Sequence, residues 1–202
     1  MNFFLNLLKK FIPNRFRPIY LRKQYNVYSK DLNDIFDINE VFDLKILKSS
    51  NELESLCCNG YTISELISTD TLQKGFENKA QLLACVFHDK LLVHTTWFSY
   101  SSLHSVFDSI FRTGMFEEHN VGYIGPCQTS EKFRGRGIYK IVLINVCNYL
   151  LRNGVKKALI NCRSNNYSSI NGILKAGFKL KSNVISITIF GTNSKRRLDK
   201  NE

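Results

Sequence analysis

The residues best suited to chemistry form one short stretch, "QTSEKFRGRGIYK", residues 128–140. Gly135 and Gly137 sit there among Lys132, Arg134, Arg136 and Lys140, directly before an apolar run over 138–151. The first amides of a helix have no partner inside it, and the helix dipole adds partial positive charge at that end. Glycines let such backbone come close to a ligand, so a phosphate or pyrophosphate fits this kind of bend. A basic surface turn that merely caps a helix has the same composition, and the stretch alone leaves both readings open.

Other reactive side chains are less organised. The cysteines Cys57, Cys58, Cys85, Cys127, Cys147 and Cys162 contain no CxxC pair, and several fall in apolar patterns where a thiol packs as a small hydrophobe. His88, His94, His104 and His119 lack the spacing of metal ligands. The expectation is a reducing compartment, with no disulfides and no metal.

A chain of 202 residues with 44% hydrophobic content suits one domain plus an extension. The formal charge of +11 favours an anionic partner, such as nucleic acid, acidic lipid or a phosphorylated ligand, but no nucleic-acid recognition motif is visible. Residues 1–30 carry seven Lys/Arg and no Asp/Glu. Phe3, Phe4, Leu7, Leu8, Phe11 and Ile12 form a helical stripe too short and interrupted to span a bilayer. It reads either as a helix packed on the domain or a second subunit, or as an interfacial helix held to anionic lipid. Nothing in it resembles a signal peptide, so a cytoplasmic chain is expected, with 1–30 as a candidate peripheral contact to the membrane.

The division is a basic amphipathic extension over 1–40, a domain over 41–192 and a basic tail over 193–202. Within the domain, "VFDLKILK" alternates as a strand. Ser49 with Glu52, and Thr62 with Glu65, have the spacing of capping boxes. Strands at 81–87 and 91–98 flank "HDK" as a hairpin. The segment 99–120 is long for a connection and is a candidate site wall. The strand "VGYIGPCQT" is interrupted by Gly125-Pro126. A helix over 138–152, a strand in "KKALINCRS", a helix in "NNYSSINGILKAG" and a strand in "NVISITIFG" complete it. The strand-helix-strand unit over 121–162 demands a parallel pair, and the fold class is α/β, a mixed central sheet flanked by helices.

The run Lys132 to Gly137 resembles the acyl-CoA signature of the GNAT acetyltransferase superfamily, Arg/Gln-x-x-Gly-x-Gly/Ala, with Lys132 at the position usually held by Arg or Gln. About thirty residues on, "NYSSINGILKAGF" resembles that family's second signature. The resemblance implies splayed central parallel strands with acetyl-CoA as acyl donor in the opening between them. It implies pantetheine contacts along Cys127, Gln128 and Thr129, and a pyrophosphate seat around Lys132, Arg134, Gly135, Arg136, Gly137, Ile138 and Tyr139. Asn166 and Ser169 would lie near the pantetheine arm. Arg134 and Arg136 either reach the outer phosphate or face water.

The implied reaction is direct transfer of an acetyl group to an amine. Many family members place a Tyr, as the acid for the leaving thiolate, seven residues after the Asn; this chain has Ile173. Glu117, Glu118 and Tyr123 are the candidate catalytic groups, and each also has an ordinary reading, as a solvated loop or as core. His94 suits a hydrogen-bonded core, and Cys127 has no visibly paired base to make it a nucleophile. The Ile-Tyr after the second glycine resembles members associated with bacterial surface-polysaccharide synthesis, which implies an amino sugar or sugar nucleotide as acceptor. The alternatives are a protein or peptide acetyltransferase and a non-catalytic acyl-CoA-binding module.

Overall fold

Asp89 and Lys90 both hold positive φ, 49° and 63°, and turn strand β3 (Gln81–His88) directly into β4 (Leu91–Ser99). Two successive residues of that kind match the twist of a tight hairpin. A computed structural model of the protein describes residues 20–36, 42–63, 66–77, 81–100, 120–189 and 192–198. Along β3, Leu82, Ala84 and Val86 enter one core cluster, while Leu83, Cys85 and Phe87 enter another. Period-two alternation therefore gives the sheet two covered faces.

The remaining strands are β1 (Tyr20–Asp31), β2 (Asp43–Leu47), β5 (Val121–Thr129), β6 (Lys157–Arg163), β7 (Lys179–Ile189) and β8 (Thr192–Leu198). They form one sheet in the order β2-β3-β4-β5-β6-β1-β7-β8. Among the described strands, β5 and β6 pair in parallel and the other ladders are antiparallel. This is the expected mixed sheet with helices on both faces.

Helix α1 (Ser50–Cys58) starts at Ser49, whose Oγ accepts from the Glu52 amide at 3.4 Å. The Glu52 carboxylate accepts from the Lys48 amide at 2.8 Å, one residue earlier than a reciprocal box would have it. Thr62 does not begin a helix. Its amide donates to Lys90 O at 2.8 Å and its carbonyl accepts from Leu92, so long-range backbone pairing overrides the local pattern. Helix α2 (Thr69–Glu77) begins later, with Ser68 Oγ accepting from Thr71.

Helix α3 (Ile138–Arg152) connects β5 to β6 and buries Ile138, Val142, Leu143, Val146, Cys147 and Leu150 on one stripe. It ends where Gly154, at φ 81°, donates to Leu151 O and Val155 donates to Leu150 O. Helix α4 (Tyr167–Lys175) packs beside it. Their shared core includes Phe98, Ile124, Ile160 and Phe178.

Two strands lie where no strand was expected. Tyr20–Asp31, inside the expected extension, is inserted between β6 and β7 and pairs with both. Thr192–Leu198, largely within the expected tail, pairs with β7. The polar sequence of β1, with Arg22, Lys23, Gln24, Asn26 and Lys30, hides it from a periodicity search. Its place comes from partners more than a hundred residues away.

Candidate functional site

The parallel ladder between β5 and β6 runs only from Val121–Lys157 to Ile124–Ile160. Beyond it β5 continues to Thr129 against β4, and β6 continues to Arg163 against β1. The two strands diverge there, at Gly125-Pro126, where Gly125 has φ 128°. The register on β4 shifts between Thr96 and Phe98 at the same level. This wedge is the splayed opening expected between the central parallel strands.

The wedge leads into the paired-glycine bend. A short 3-10 turn over Glu131–Phe133 is followed by Gly135 and Gly137, at φ 78° and 79°. An added Cβ at either glycine would meet nothing within 4 Å. The demand for glycine here comes from backbone sign, not from crowding. Among the described residues, the amides of Gly135, Arg136, Gly137, Ile138, Tyr139 and Lys140 donate to no main-chain acceptor; the first helical bond runs from Ile141 to Gly137 O. The result is a run of amides without main-chain partners at the positive end of a fifteen-residue helix.

The Arg134 amide is not part of this run, because it donates to Glu131 O at 3.2 Å. Its guanidinium turns back to Thr129 O and the Glu131 carboxylate, both at 3.3 Å. Arg136 stacks 4.8 Å from the centre of the Phe133 ring, and Lys132 is exposed.

Tyr139 enters the site as a side chain, which its place among the backbone donors did not foretell. Its ring fills a notch at Gly172, where a Cβ would lie 2.4 Å from ring carbon Cδ1. Its hydroxyl is hydrogen-bonded to Cys127 on β5, and Cys162 on β6 is close enough to act on its charge. The phenol therefore reaches toward the wedge from the α3–α4 side. Burial, with the two cysteines beside it, holds its pKa well above the ordinary value, so it keeps its proton at neutral pH. The signal in the sequence is a large residue after the glycine bend matched by a small one in the second signature.

His94 is fully buried and makes two hydrogen bonds, Nδ1 with Thr129 Oγ1 at 2.7 Å and Nε2 with Thr96 Oγ1 at 2.8 Å. Burial lowers its pKa to about 3. A neutral ring with both nitrogens engaged ties β4 to the far end of β5.

Asn166 is the N-cap of α4, its Oδ1 accepting from the Ser169 amide at 3.2 Å. Ile173 is fully buried in the core shared by α3 and α4. Tyr123 packs with Val27, Val121, Leu159 and Val184, in a cluster separate from that of Tyr139. Glu117 and Glu118 lie outside the described residues, as does most of the 99–120 segment. No described helix is long and apolar enough to cross a membrane.

Comparisons with known proteins agree with this geometry at the level of the fold. No family model matches the chain, and no curated protein matches it. Solved structures do. An acetyltransferase of the GNAT family from Novosphingobium aromaticivorans superposes with a TM-score of 0.55 at 13% identity, covering 85% of this chain and 66% of that one. A GCN5-related N-acetyltransferase-like protein from Streptococcus suis gives 0.54 at 15% identity, covering 91% and 66%. A GCN5-related glucosamine N-acetyltransferase region of a fungal multi-domain β-N-acetylglucosaminidase gives 0.51 at 13% identity, covering 81% of this chain and 21% of that one. The fold is that of the GNAT acetyltransferases. The chain spans just under two thirds of the length of the first two of these proteins.

Proposed function

We propose that the protein is an acetyl-CoA-dependent N-acetyltransferase acting by direct transfer to the amine of a small molecule, an amino sugar or sugar nucleotide. One observation carries the reading: the free amides from Gly135 to Lys140 stand directly beside the opening between β5 and β6. A diphosphate matches the first feature and an extended amide-bearing arm the second. Bound there, acetyl-CoA supplies a thioester carbonyl to an amine nucleophile.

The chain's own residues do the rest. Amides of the bend hold the diphosphate, and β5 over Cys127–Thr129 and Asn166 with Ser169 flank the arm. Tyr139 takes the part left vacant by Ile173. Its half-buried, protonated hydroxyl stands beside Cys127 on the β5 side of the wedge and can deliver a proton to a departing thiolate. Glu117, Glu118 and Tyr123 remain the candidates for receiving the amine proton. The amino-sugar acceptor rests on the motif's finer resemblance and on the fold shared with the glucosamine N-acetyltransferase region.

Free thiol released from acetyl-CoA, followed across a panel of amino sugars, sugar nucleotides and peptides, tests the proposal. Release confined to the sugar acceptors is expected; release with peptides alone would reassign the acceptor, and binding without release would make the chain a coenzyme-binding module. Tyr139→Phe should leave coenzyme affinity unchanged and lower kcat about 100-fold. An unaltered kcat would remove Tyr139 from proton transfer.

A further inference from the structure

A second concave site adjoins the bend at Lys140. It has a volume of about 540 Å³ and no lining residue from β5, β6 or residues 131–137, and Lys140, whose amide ends the run of donors at the bend, is the residue the two sites share. Its walls come from the end of β1 and the chain after it, from α3, and from the junction of α4 with β7. Four lysines line it, Lys30, Lys140, Lys175 and Lys179, against one carboxylate, Asp31. Among the described residues none of the four forms an ion pair.

Lys30 sets its amine in the wall, where burial lowers its pKa from the ordinary value. It is 9% exposed, donates to Ala176 O at 2.7 Å, and lies 3.7 Å from the centre of the Phe36 ring. A helix-end carbonyl and a π face solvate the ammonium without neutralising it. Gly177 leaves the room for it, since a Cβ there would come within 3.3 Å of Nζ. The other three lysines are exposed and free to converge on a ligand. Like charges gathered in a concavity with low-dielectric walls concentrate the field and draw in anions. Ammonium groups suit a phosphate as point charges, and Ile144 and Phe36 offer apolar contact to whatever carries it.

We propose that this pocket binds the phosphate of a small organic phosphate, at a site separate from the diphosphate seat at Gly135 and Gly137. The probe is inorganic pyrophosphate, titrated calorimetrically into the full chain saturated with coenzyme A, so that the glycine bend is already filled. Binding is expected to persist, and to weaken about tenfold or more in a Lys175→Gln/Lys179→Gln double variant of unchanged melting temperature. Lys30→Met should weaken it as well. The Gly135→Glu chain, with its seat blocked, should still bind pyrophosphate at the lysine pocket; this arm stays readable even if acetyl-CoA proves not to be a ligand. Competition by vesicles of phosphatidylcholine with phosphatidic acid would identify a lipid headgroup as the phosphate source, and competition by a nucleoside diphosphate a soluble ester. Pyrophosphate binding that is absent, or indifferent to the double variant, overturns the proposal. So does displacement by coenzyme A but not by dephospho-coenzyme A, which would assign the lysines to the coenzyme's own outer phosphate.

Discussion

Gly135 and Gly137 show how little the bend needs from its surroundings. Each holds a left-handed backbone that side chains disfavour by about 1–2 kcal/mol, yet neither faces a neighbour that a Cβ would strike. Gly135→Glu or Gly137→Glu should therefore leave the protein folded while abolishing coenzyme binding, through carboxylate charge and bulk at the donors; calorimetry with coenzyme A checks this, and unchanged affinity would remove the phosphate seat. His94 sets a pH dependence. Its folded pKa of about 3 lies below the ordinary 6.5, so the unfolded chain binds more protons between those values. The stability His94 contributes is complete above pH 6.5 and declines as pH falls toward 3, by about 1.4 kcal/mol per unit. Urea unfolding from pH 7 to 4 should show this slope, and His94→Gln should flatten it. These residues were legible to different degrees. The glycines announce themselves by spacing, whereas the buried, doubly bonded state of His94 depends on Thr129, which β5 brings from 35 positions away.

At the scale of elements, α3 and α4 meet through a size match. Tyr139 occupies the space that the missing Gly172 side chain leaves. Gly172→Ala gains about 1 kcal/mol of helix propensity and loses about 1–3 kcal/mol to overpacking. The net change in stability should be small, about 1 kcal/mol, as measured by thermal unfolding. Turnover should nonetheless fall as it does in Tyr139→Phe, because the ring has to move. A variant with full turnover would separate the notch from catalysis. The helices were readable from stripes and stop signals: Ile138–Arg152 and its Asn153-Gly154 ending appear as expected. The second capping pattern misled, since Thr62 gave its backbone to the β3–β4 turn. Local patterns predict helices well until a distant strand competes for the same amide.

For the whole molecule, the decisive feature is β1 inside the sheet. A segment with the polarity of a surface arm holds Val27 at 0% exposure between β6 and β7. Val27→Asp should cost on the order of 4 kcal/mol by burying an unpaired carboxylate, a large share of a domain's total stability. Circular dichroism should show loss of cooperative unfolding; native-like melting would mean that the sheet does not depend on this strand. The same strand carries Lys30 to the end of α4, so the lysine pocket exists only because the N-terminal segment is built into the fold.

The chain's own order of residues determined the paired-glycine bend, the helix that follows it, the parallel pair on either side and hence the kind of ligand the bend suits. Those features are local, set by backbone preference and by apolar spacing over a few turns. Tertiary structure alone decided that Tyr139 meets Gly172 and Cys127, that His94 is neutral, and that Tyr20–Asp31 lies within the sheet. Each depends on contacts between segments far apart in sequence, where the free energy comes from burial and pairing that no single segment encodes.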